Sequence, residues 1–384
     1  MMLGFLLARS GVDVVVLEKH SDFLRDFRGD TIHPSTLQVM RELGLFDEFR
    51  QLLQNEITTL DVVFGDRRIT PIDFSHLPAP CNFLGLAPQW DFLDFLASKA
   101  KEYDGFTLLM ETEVTDIRRS AERITGVVAS GPSGPVIIDA DLVVAADGRS
   151  SVVRSRAGLT VRETGVPIDI LWFRLAKPTP EPPDTLGYFG SGDMVLTIDR
   201  GDYYQGGMLI TKGSFDRIKA DGIDRFRSRI ATTAAVLSDV VGDLTDFDQV
   251  KLLSVQIDHL PTWHQPGLLC IGDAAHAMSP AFGVGVNYAV QDAVAAAKIL
   301  TTGLLERTVS ARDLAAVQRR RAGPTRLMQR IQVRLHQRIA RPGTALAPSF
   351  VARVLVPLSP ILQRLAARLV GLGFRPEHVD EGRR

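Results

Sequence analysis

Apolar runs and helical repeats alternate through the first 60 residues. MMLGFLLAR predicts a helix through Arg9, with Gly11 marking its C-terminal end. The run from Val12 to Leu17 predicts a strand. HPSTLQVMREL predicts a second helix that begins near Pro34 and ends at Gly44. Strands that alternate with helices in this way are typical of an α/β domain.

The middle of the chain changes to the period-two pattern of antiparallel strands. Residues 61–74 predict two strands around the turn Gly65-Asp66, and DILWFRLA, TLGYFGSGDMVLTID and DYYQGGMLITK predict further strands between about 161 and 256. An amphipathic helix in PQWDFLDFLASKAKEY and a hairpin-rich insertion lie between the two groups. We therefore predict a second domain built on an antiparallel sheet.

These patterns predict three parts in the chain. A discontinuous α/β domain comprises residues 1–60, 75–158 and 257–337. An antiparallel β-sheet domain comprises 61–74 and 159–256, and a basic helical tail comprises 338–384. Two domains are typical of a chain of 384 residues.

Composition and cysteine content narrow the class of protein. A hydrophobic content of 45% and a charged content of 23% are typical of a globular protein. No apolar run approaches the ~18 residues that a membrane-spanning helix needs. Cys81 and Cys270 are the only cysteines, which excludes a disulfide framework and a cysteine-based metal site. We therefore predict a cytoplasmic protein without a bound metal.

The charge is unevenly distributed. Residues 312–384 contain 15 Arg and 4 acidic residues, a balance of +11 that leaves −12 for the remainder of a chain whose net charge is −1. The tail also contains the apolar segments FVARVLVPL and LQRLAARLV. Two interpretations stay open: peripheral contact with an anionic membrane or another subunit, and packing on the rest of the chain with the arginines in water. No sequence motif for nucleic acid binding is present, which excludes that partner.

The stretch LLCIGDAAHAMSPAFGVGVNYAVQD carries the most chemical information. An apolar strand from Leu268 to Ile271 delivers the carboxylate of Asp273 to a glycine-lined loop, which opens a helix. Unpaired N–H groups at a helix start attract an anionic or electron-rich ligand. Gly283 and Gly285 lack a Cβ atom, so a flat ligand can approach the backbone closely.

Two motifs resemble those of one family. Gly272 to Asp292 reads G-D-A-A-H-x-x-x-P-x-x-G-x-G-x-N-x-x-x-x-D, and Asp147 to Arg154 reads D-G-x-x-S-x-x-R. This pair is similar to motifs of the FAD-dependent aromatic hydroxylases, the para-hydroxybenzoate hydroxylase-like monooxygenases. The resemblance implies an α/β fold with a Rossmann-like FAD-binding domain, an antiparallel β-sheet substrate domain and a helical C-terminal segment.

The start of the chain departs from the family pattern. Family members begin with a strand and a G-x-G-x-x-G loop that cradles the FAD pyrophosphate, whereas this sequence begins with what resembles the helix after the third glycine. Glu18 stands at the position of the acid that binds the adenosine ribose. We expect that Met1 is an internal start or that the sequence was cut, so the first strand is missing. FAD binding by this polypeptide is then an open question.

The resemblance implies a set of cofactor contacts. Asp273 would bond a ribityl hydroxyl of FAD, and the loop from Pro280 would border the isoalloxazine ring. The full set is Glu18, Lys19, Arg28, Gln89, Val114, Asp147, Asp273, Pro280, Gly283, Gly285, Val286 and Asn287. His276 is interpreted as structural. Asp147 and Arg154 either brace the pyrophosphate or form a buried structural pair.

Four residues are candidates for the substrate pocket because they lie on strands expected to face the flavin. They are Trp172, Arg174, Met194 and Tyr204. A slip of one residue in strand register would turn each of them to the opposite face. The sequence alone does not fix that register.

The activity implied by the resemblance is aromatic hydroxylation. NAD(P)H would reduce FAD, and a flavin C4a-hydroperoxide formed with O₂ would hydroxylate a phenol-like small molecule, with no nucleophile from the protein. Two alternatives stay open. One is another FAD-dependent oxidoreductase of the superfamily, although Trp90, Trp172 and Trp263 do not form the W-x-W of flavin halogenases. The other is a flavin-free, non-catalytic remnant, because the glycine loop is absent.

Overall fold

The helices and strands follow from a computed structural model that describes residues 1–24, 31–179, 187–190, 192–339 and 359–379. The helices in these ranges are α1 (Met2–Arg9), α2 (Pro34–Glu42), α3 (Phe46–Arg50), α4 (Gln89–Ala100), α5 (Val152–Arg156), α6 (Phe215–Ala220), α7 (Ile223–Thr233), α8 (Gly285–Leu305), α9 (Ala311–Ile339) and α10 (Ser359–Gly371).

The strands are short, and most belong to the middle of the chain. They are β1 (Val14–Leu17), β2 (Thr31–Ile32), β3 (Asn55–Ile57), β4 (Thr59–Phe64), β5 (Arg67–Asp73), β6 (Leu84–Leu86), β7 (Phe106–Leu109), β8 (Glu113–Ser120), β9 (Arg123–Gly131), β10 (Gly134–Asp139), β11 (Val143–Ala145), β12 (Arg162–Thr164), β13 (Ile168–Ala176), β14 (Gly187–Gly190), β15 (Asp193–Asp199), β16 (Tyr203–Thr211), β17 (Lys251–Leu253), β18 (Ile257–His259), β19 (His264–Gln265) and β20 (Leu268–Cys270).

Two separate parallel ladders form the α/β part. β1 pairs with β7, and β11 pairs with β20, whose other edge carries β19. Helices α1 and α8 pack against each other beside these ladders. Apolar side chains of both helices and both ladders share one core, which includes Phe5, Phe106, Leu269 and Val294. The predicted α/β architecture is confirmed.

The outer edges of β1 and β11 have no partner strand among the described residues. Successive residues of a strand direct their N–H groups to opposite sides. The N–H of Val14 donates towards the β7 side at 2.8 Å, so that of Val15 points away from β7. The N–H of Val143 donates towards the β20 side at 2.9 Å, so that of Val144 points away from β20. Neither outward edge pairs with another strand in the described part of the chain.

The second domain is built on a seven-stranded sheet of order β17-β13-β16-β15-β14-β4-β5. Its pairs are antiparallel except for β14 with β4, which confirms the predicted antiparallel sheet. One face carries Leu171 and Phe173 into a core with Phe226 of α7. Because side chains alternate along a strand, Ile170 and Trp172 lie on the opposite face.

The C-terminal part of the chain packs against both domains. Gln363 of α10 donates to the carbonyl oxygen of Thr70 in β5 at 2.6 Å, and α10 covers Phe74. The segment FVARVLVPL lies outside the described residues, so its two interpretations stay predictions. Among the helices described, none combines the length and the apolar character needed to cross a membrane.

Candidate active-site cavity

A cavity of about 1970 Å³ runs through the region between the two parallel ladders and the seven-stranded sheet. Its walls include the open edges of β1 and β11, helices α1 and α8, the loop after β20, the inner face of the large sheet, and α9. Pockets for a single drug-sized ligand measure about 300–1,000 Å³. The cavity therefore has room for a cofactor and a substrate together.

Asp273 projects its carboxylate at the carboxyl end of the parallel strand β20. The backbone turns at Gly272 with φ of 58°, and Asp273 then borders the cavity with its side chain 33% exposed. Arg149 Nη2 lies 3.4 Å from Asp273 Oδ2 and also lines the cavity. The sequence analysis missed Arg149, although it lies inside the D-G-x-x-S-x-x-R motif. The result is a carboxylate, steadied by a cation, that is open to a ligand.

The glycine loop is fixed by Thr31 on one side and faces the cavity on the other. Gly283 has φ of +62°, and a Cβ atom there would lie 2.1 Å from Thr31 Oγ1, which itself donates to the Gly283 carbonyl oxygen at 2.9 Å. Gly285 has no atom within 4 Å of its ideal Cβ position and faces the cavity. Asn287 does not border the cavity. Its Nδ2 donates to the carbonyl oxygen of Thr31 at 3.1 Å, so this residue braces the loop rather than facing a ligand.

A buried charge network supports the turn that presents Asp273. Asp292 Oδ2 accepts from the Gly272 N–H at 3.1 Å and lies 2.5 Å from His276 Nε2. Its other oxygen accepts from Arg321 Nε at 3.0 Å. Burial raises the pKa of Asp292, but the nearby His276 and Arg321 outweigh this effect, and the pKa is lowered overall. His276 is buried away from the cavity, which accords with the structural role predicted for it.

The same network extends to the C-terminal segment. Arg321 Nη1 lies 3.4 Å from Glu377 Oε1, and Arg320 donates to both oxygens of Glu377 at 2.6 and 2.9 Å. Arg321 is 1% exposed and Glu377 is 3% exposed, so this charge pair is dry. No sequence pattern signalled these residues, because α9 and the segment after α10 meet α8 only in the folded chain.

Arg154 stabilises the site without pairing with Asp147. Its guanidinium donates to the carbonyl oxygens of Ala274 at 2.9 Å and of Arg149 at 2.6 Å. Asp147 accepts from the Val153 N–H at 3.2 Å and borders the cavity. The interpretation of a buried Asp147–Arg154 pair is therefore wrong, because each side chain is satisfied by backbone groups. Arg154 joins the two motif loops instead.

The predicted adenosine end lies at the far side of the cavity. Glu18, Lys19 and Val114 line the cavity there, and Glu18 accepts from the His20 N–H at 3.0 Å. Gln89, which is predicted to contact the flavin, also lines the cavity. Arg28 lies outside the described residues.

Strand register decides which predicted pocket residues face the cavity. Trp172 and Met194 lie on its sheet wall. Tyr204 borders the cavity, but its register places it on the opposite face, where it packs with the core around Phe173. Arg174 is wrong as a pocket residue: it lies near the end of β13, stacks over Tyr203 at 3.9 Å and is outside the cavity lining.

A buried serine–histidine pair forms part of the opposite wall. Ser279 Oγ lies 2.6 Å from His336 Nε2 and accepts from the Ala281 N–H at 3.1 Å. Burial lowers the pKa of His336 to about 4, so its ring is neutral at pH 7. Both residues border the cavity. The sequence analysis missed His336 because its partner lies 57 residues away.

The residues present fit a bound FAD at its ring and ribityl end. Asp273 offers an accessible acceptor for hydroxyl groups, and Gly285 leaves the backbone open at the start of α8, where a flat ring can approach. Glu18 offers a second carboxylate at the other end of the cavity. Between them lie the open edges of β1 and β11 rather than a glycine loop.

Comparison with known proteins gives concordant matches. Residues 1–331 match a family model described as FAD binding domain. The chain is 31% identical to 6-methylpretetramide 4-monooxygenase from Streptomyces rimosus over 391 residues, which cover 99% of this chain and 92% of the relative.

Solved structures support the fold. A variant of PqsL from P. aeruginosa has a TM-score of 0.76 at 22% identity, over 88% of this chain and 93% of that one. The p-nitrophenol 4-monooxygenase PnpA from Pseudomonas putida DLL-E4 has a TM-score of 0.76 at 18% identity, over 96% of this chain and 95% of that one. The cavity, its carboxylate and its glycine loop therefore lie in a fold shared with these two enzymes.

Proposed function

Because the chain belongs to the FAD binding domain family of FAD-dependent aromatic monooxygenases, we propose that it uses NAD(P)H and O₂ to hydroxylate a phenol-like small molecule. The observation that carries the proposal is that Asp273 and Gly285 both line a large, mostly apolar cavity at the end of a parallel strand. Ligands of open α/β sheets bind at such strand ends. The relative is named a 4-monooxygenase of 6-methylpretetramide, which supports oxygenation of an organic small molecule.

Bound FAD would supply the redox chemistry, in which the two electrons of NAD(P)H reduce O₂ so that one oxygen atom enters the aromatic ring and the other leaves as water. Asp273 accepts hydrogen bonds from the ribityl hydroxyls. The N–H groups of Gly285 and Val286 at the start of α8 stabilise negative charge on the reduced ring. The apolar walls exclude water from the reacting groups. The protein thus binds and orients the cofactor and the substrate and shields the reacting groups from water, and it supplies no nucleophile.

The remaining cofactor contacts form a second group at the adenosine end. Glu18 binds the ribose hydroxyls, while Lys19, Gln89, Val114 and Asp147 line the path towards the ring. Pro280 and Gly283 shape the loop beneath the ring, and Asn287 acts through that loop. Arg149 joins the set because it holds the Asp273 carboxylate.

The proposal includes one additional parallel strand between β1 and β11. Two outward strand edges line one cavity, and their N–H and C=O groups have no strand partner there, whereas most backbone polar groups in folded proteins are paired. A parallel strand followed by a tight turn into α1 would form a right-handed β-α-β unit with β1. The DNA upstream of the codon for Met1 tests this directly: the absence of an in-frame strand and glycine-rich turn would count against a shortened sequence.

The open edges of β1 and β11 also favour a second candidate, a flavin-free remnant without catalysis. Absorbance separates the two. We expect the purified chain, mixed with FAD and passed through a desalting column, to retain the flavin spectrum. A chain that retains none at any FAD concentration, but keeps its native circular dichroism, is the remnant.

Turnover tests the oxygenation. We expect phenolic compounds to accelerate NAD(P)H oxidation and ¹⁸O from ¹⁸O₂ to enter the product. Asp273→Asn should weaken FAD binding, whereas Asp243→Asn, remote from the cavity, serves as the matched control. A flavin-bearing chain whose NAD(P)H oxidation responds to no aromatic compound favours another FAD-dependent oxidoreductase of the superfamily.

A further inference from the structure

The inner face of the large sheet carries a continuous row of apolar side chains across six strands. Each residue of the row is the direct register partner of the next. From β17 to β4 the row is Leu253, Ile170, Leu209, Met194, Phe189 and Phe64. All six border the cavity. The row spans five strand spacings of about 4.8 Å each, or about 24 Å.

A second row on the same face alternates large side chains with glycines. Trp172 pairs with Gly207, which pairs with Leu196, which pairs with Gly187. A Cβ atom at Gly207 would lie 2.6 Å from the Trp172 ring, so this ring lies against the bare backbone of β16. At the β14–β4 edge, the rings of Phe64 and Phe189 stack 4.6 Å apart at 10°. Gly207 thus lets the Trp172 ring lie on the sheet, while the Met194 and Leu196 side chains cover Gly187, at 3.4 and 3.5 Å from its ideal Cβ position.

The opposite wall of the cavity is also apolar. Met328, Ile331 and Leu335 of α9 border the cavity, with the polar pair Ser279–His336 among them. On the sheet side the Trp172 indole N–H has no acceptor in the described part of the chain, although Trp172 is 9% exposed.

Resting on the proposed function, we propose that the substrate is a planar molecule of three or more fused rings with oxygen substituents, bound flat on the surface formed by Trp172, Met194, Leu196, Leu209, Phe189 and Phe64. A single phenol ring covers about one strand spacing. It would leave most of this apolar surface in contact with water, whereas a fused-ring system covers it and stacks on its aromatic ends. Trp172 and the Phe64–Phe189 pair are then specificity residues.

Ligand binding without turnover tests this inference. Dissociation constants would be measured, with and without FAD, for 4-hydroxybenzoate, 2-naphthol, 1,8-dihydroxyanthraquinone, anhydrotetracycline and dodecanol by quenching of tryptophan fluorescence. We expect the affinity to rise at least tenfold from one ring to three. Trp172→Phe should remove most of the quenching, whereas Trp263→Phe, at a buried tryptophan away from the cavity, should retain it.

A variant pair separates stacking from general folding. Phe64→Leu should weaken anthraquinone binding about three- to tenfold and leave 4-hydroxybenzoate unchanged, because only the larger ligand reaches β4. Phe247→Leu removes a ring from the other face of the sheet, where Phe247 packs on Phe226 at 5.7 Å, and should change neither affinity.

Three results would overturn the inference: one-ring and three-ring ligands binding within threefold of each other, dodecanol binding as tightly as the anthraquinone, or Phe64→Leu weakening both ring sizes equally. Tight fused-ring binding without oxygenation would leave the substrate class standing and remove the proposed function. Oxygenation of simple phenols without fused-ring binding would do the reverse.

Discussion

At one end of the cavity both oxygens of the Asp292 carboxylate are engaged by Gly272, His276 and Arg321, and the glycine loop is pinned through Thr31. At the other end β1 and β11 each leave one strand edge unpaired. The side-chain contacts that fix the first end, those of Asp292 and Thr31, all lie within the described residues. At the second end, no strand pairs with either of these edges in the described residues. The comparison teaches that one half of a cavity can be fixed by buried side-chain contacts to a loop while the other half is bounded by open strand edges.

The largest expected effect is a loss of stability when the charge network around Asp292, at the organised end of the cavity, is broken. Arg321→Met leaves Asp292 and Glu377 buried with too few cationic partners, so we expect the free energy of unfolding to fall by about 3–5 kcal/mol. Chemical denaturation at pH 7.5 measures it. Arg320→Met is the matched control, because Arg320 is 35% exposed and Arg321 still faces Glu377. Its expected loss is about 1 kcal/mol. Equal losses would contradict the importance of the Asp292 contact.

The next largest expected effect is a gain in FAD affinity when a strand is added between the open edges of β1 and β11. Extending the chain ahead of Met1 by an apolar strand and a G-x-G-x-x-G turn should tighten FAD binding about 100-fold, equivalent to about 2.7 kcal/mol, because new strand pairs and phosphate-binding N–H groups form. Fluorescence titration with FAD measures the change. An extension of equal length with proline at alternate strand positions is the control, since proline cannot donate to the ladder. Equal affinity for both extensions would contradict the strand.

Acid should weaken the organised end. Burial lowers the pKa of His33 and of His336 to about 4, from 6.5 in an unfolded chain. The unfolded state therefore binds more protons between these values, and stability present above pH 6.5 is lost as the pH falls towards 4. We expect a loss of up to about 1.4 kcal/mol per pH unit for each histidine. His336→Gln should reduce the slope of unfolding free energy against pH. An unchanged slope would show that burial of His336 does not control it.

The smallest expected effect is on FAD affinity, when the carboxylate of Asp273 at one end of the cavity and that of Glu18 at the other are replaced in turn. In the chain as it stands, Asp273→Asn should weaken FAD binding about tenfold, or about 1.4 kcal/mol, because the stronger charged acceptor is lost. Glu18→Gln should change it less than twofold, since Glu18 already accepts from the His20 N–H at 3.0 Å and has less capacity left for a ligand. FAD titrations of both variants measure this difference. Equal losses would show that both ends already grip the cofactor.

Local patterns predicted the parts of the fold that local sequence controls. The strand, turn and helix around Gly272 and Gly285 follow from an apolar run, glycines and a helical repeat, and the structure has β20, a turn and α8 there. The antiparallel sheet was also predicted, because alternation of apolar and polar residues is a local signal. Both concern short, continuous segments of the sequence.

Contacts distant in sequence escaped prediction. Arg321 and Glu377 meet Asp292 through tertiary packing, which leaves no periodic signal. Register separated Trp172 from Tyr204, because one position along a strand decides the face. Arg174 shows a further limit: its parity matches that of Trp172, but it lies beyond the end of the cavity. The residues predicted to bind the cofactor stay predictions.

The fit between Thr31 and Gly283 has a consequence for how related sequences can diverge. The threonine hydroxyl occupies the space that any Cβ atom at position 283 would need, and it also holds the Gly283 carbonyl oxygen. The residues allowed at positions 31 and 283, which are 252 residues apart in the chain, are therefore expected to depend on each other. Among homologues that keep glycine at 283, position 31 should drift only between small hydroxyl-bearing side chains.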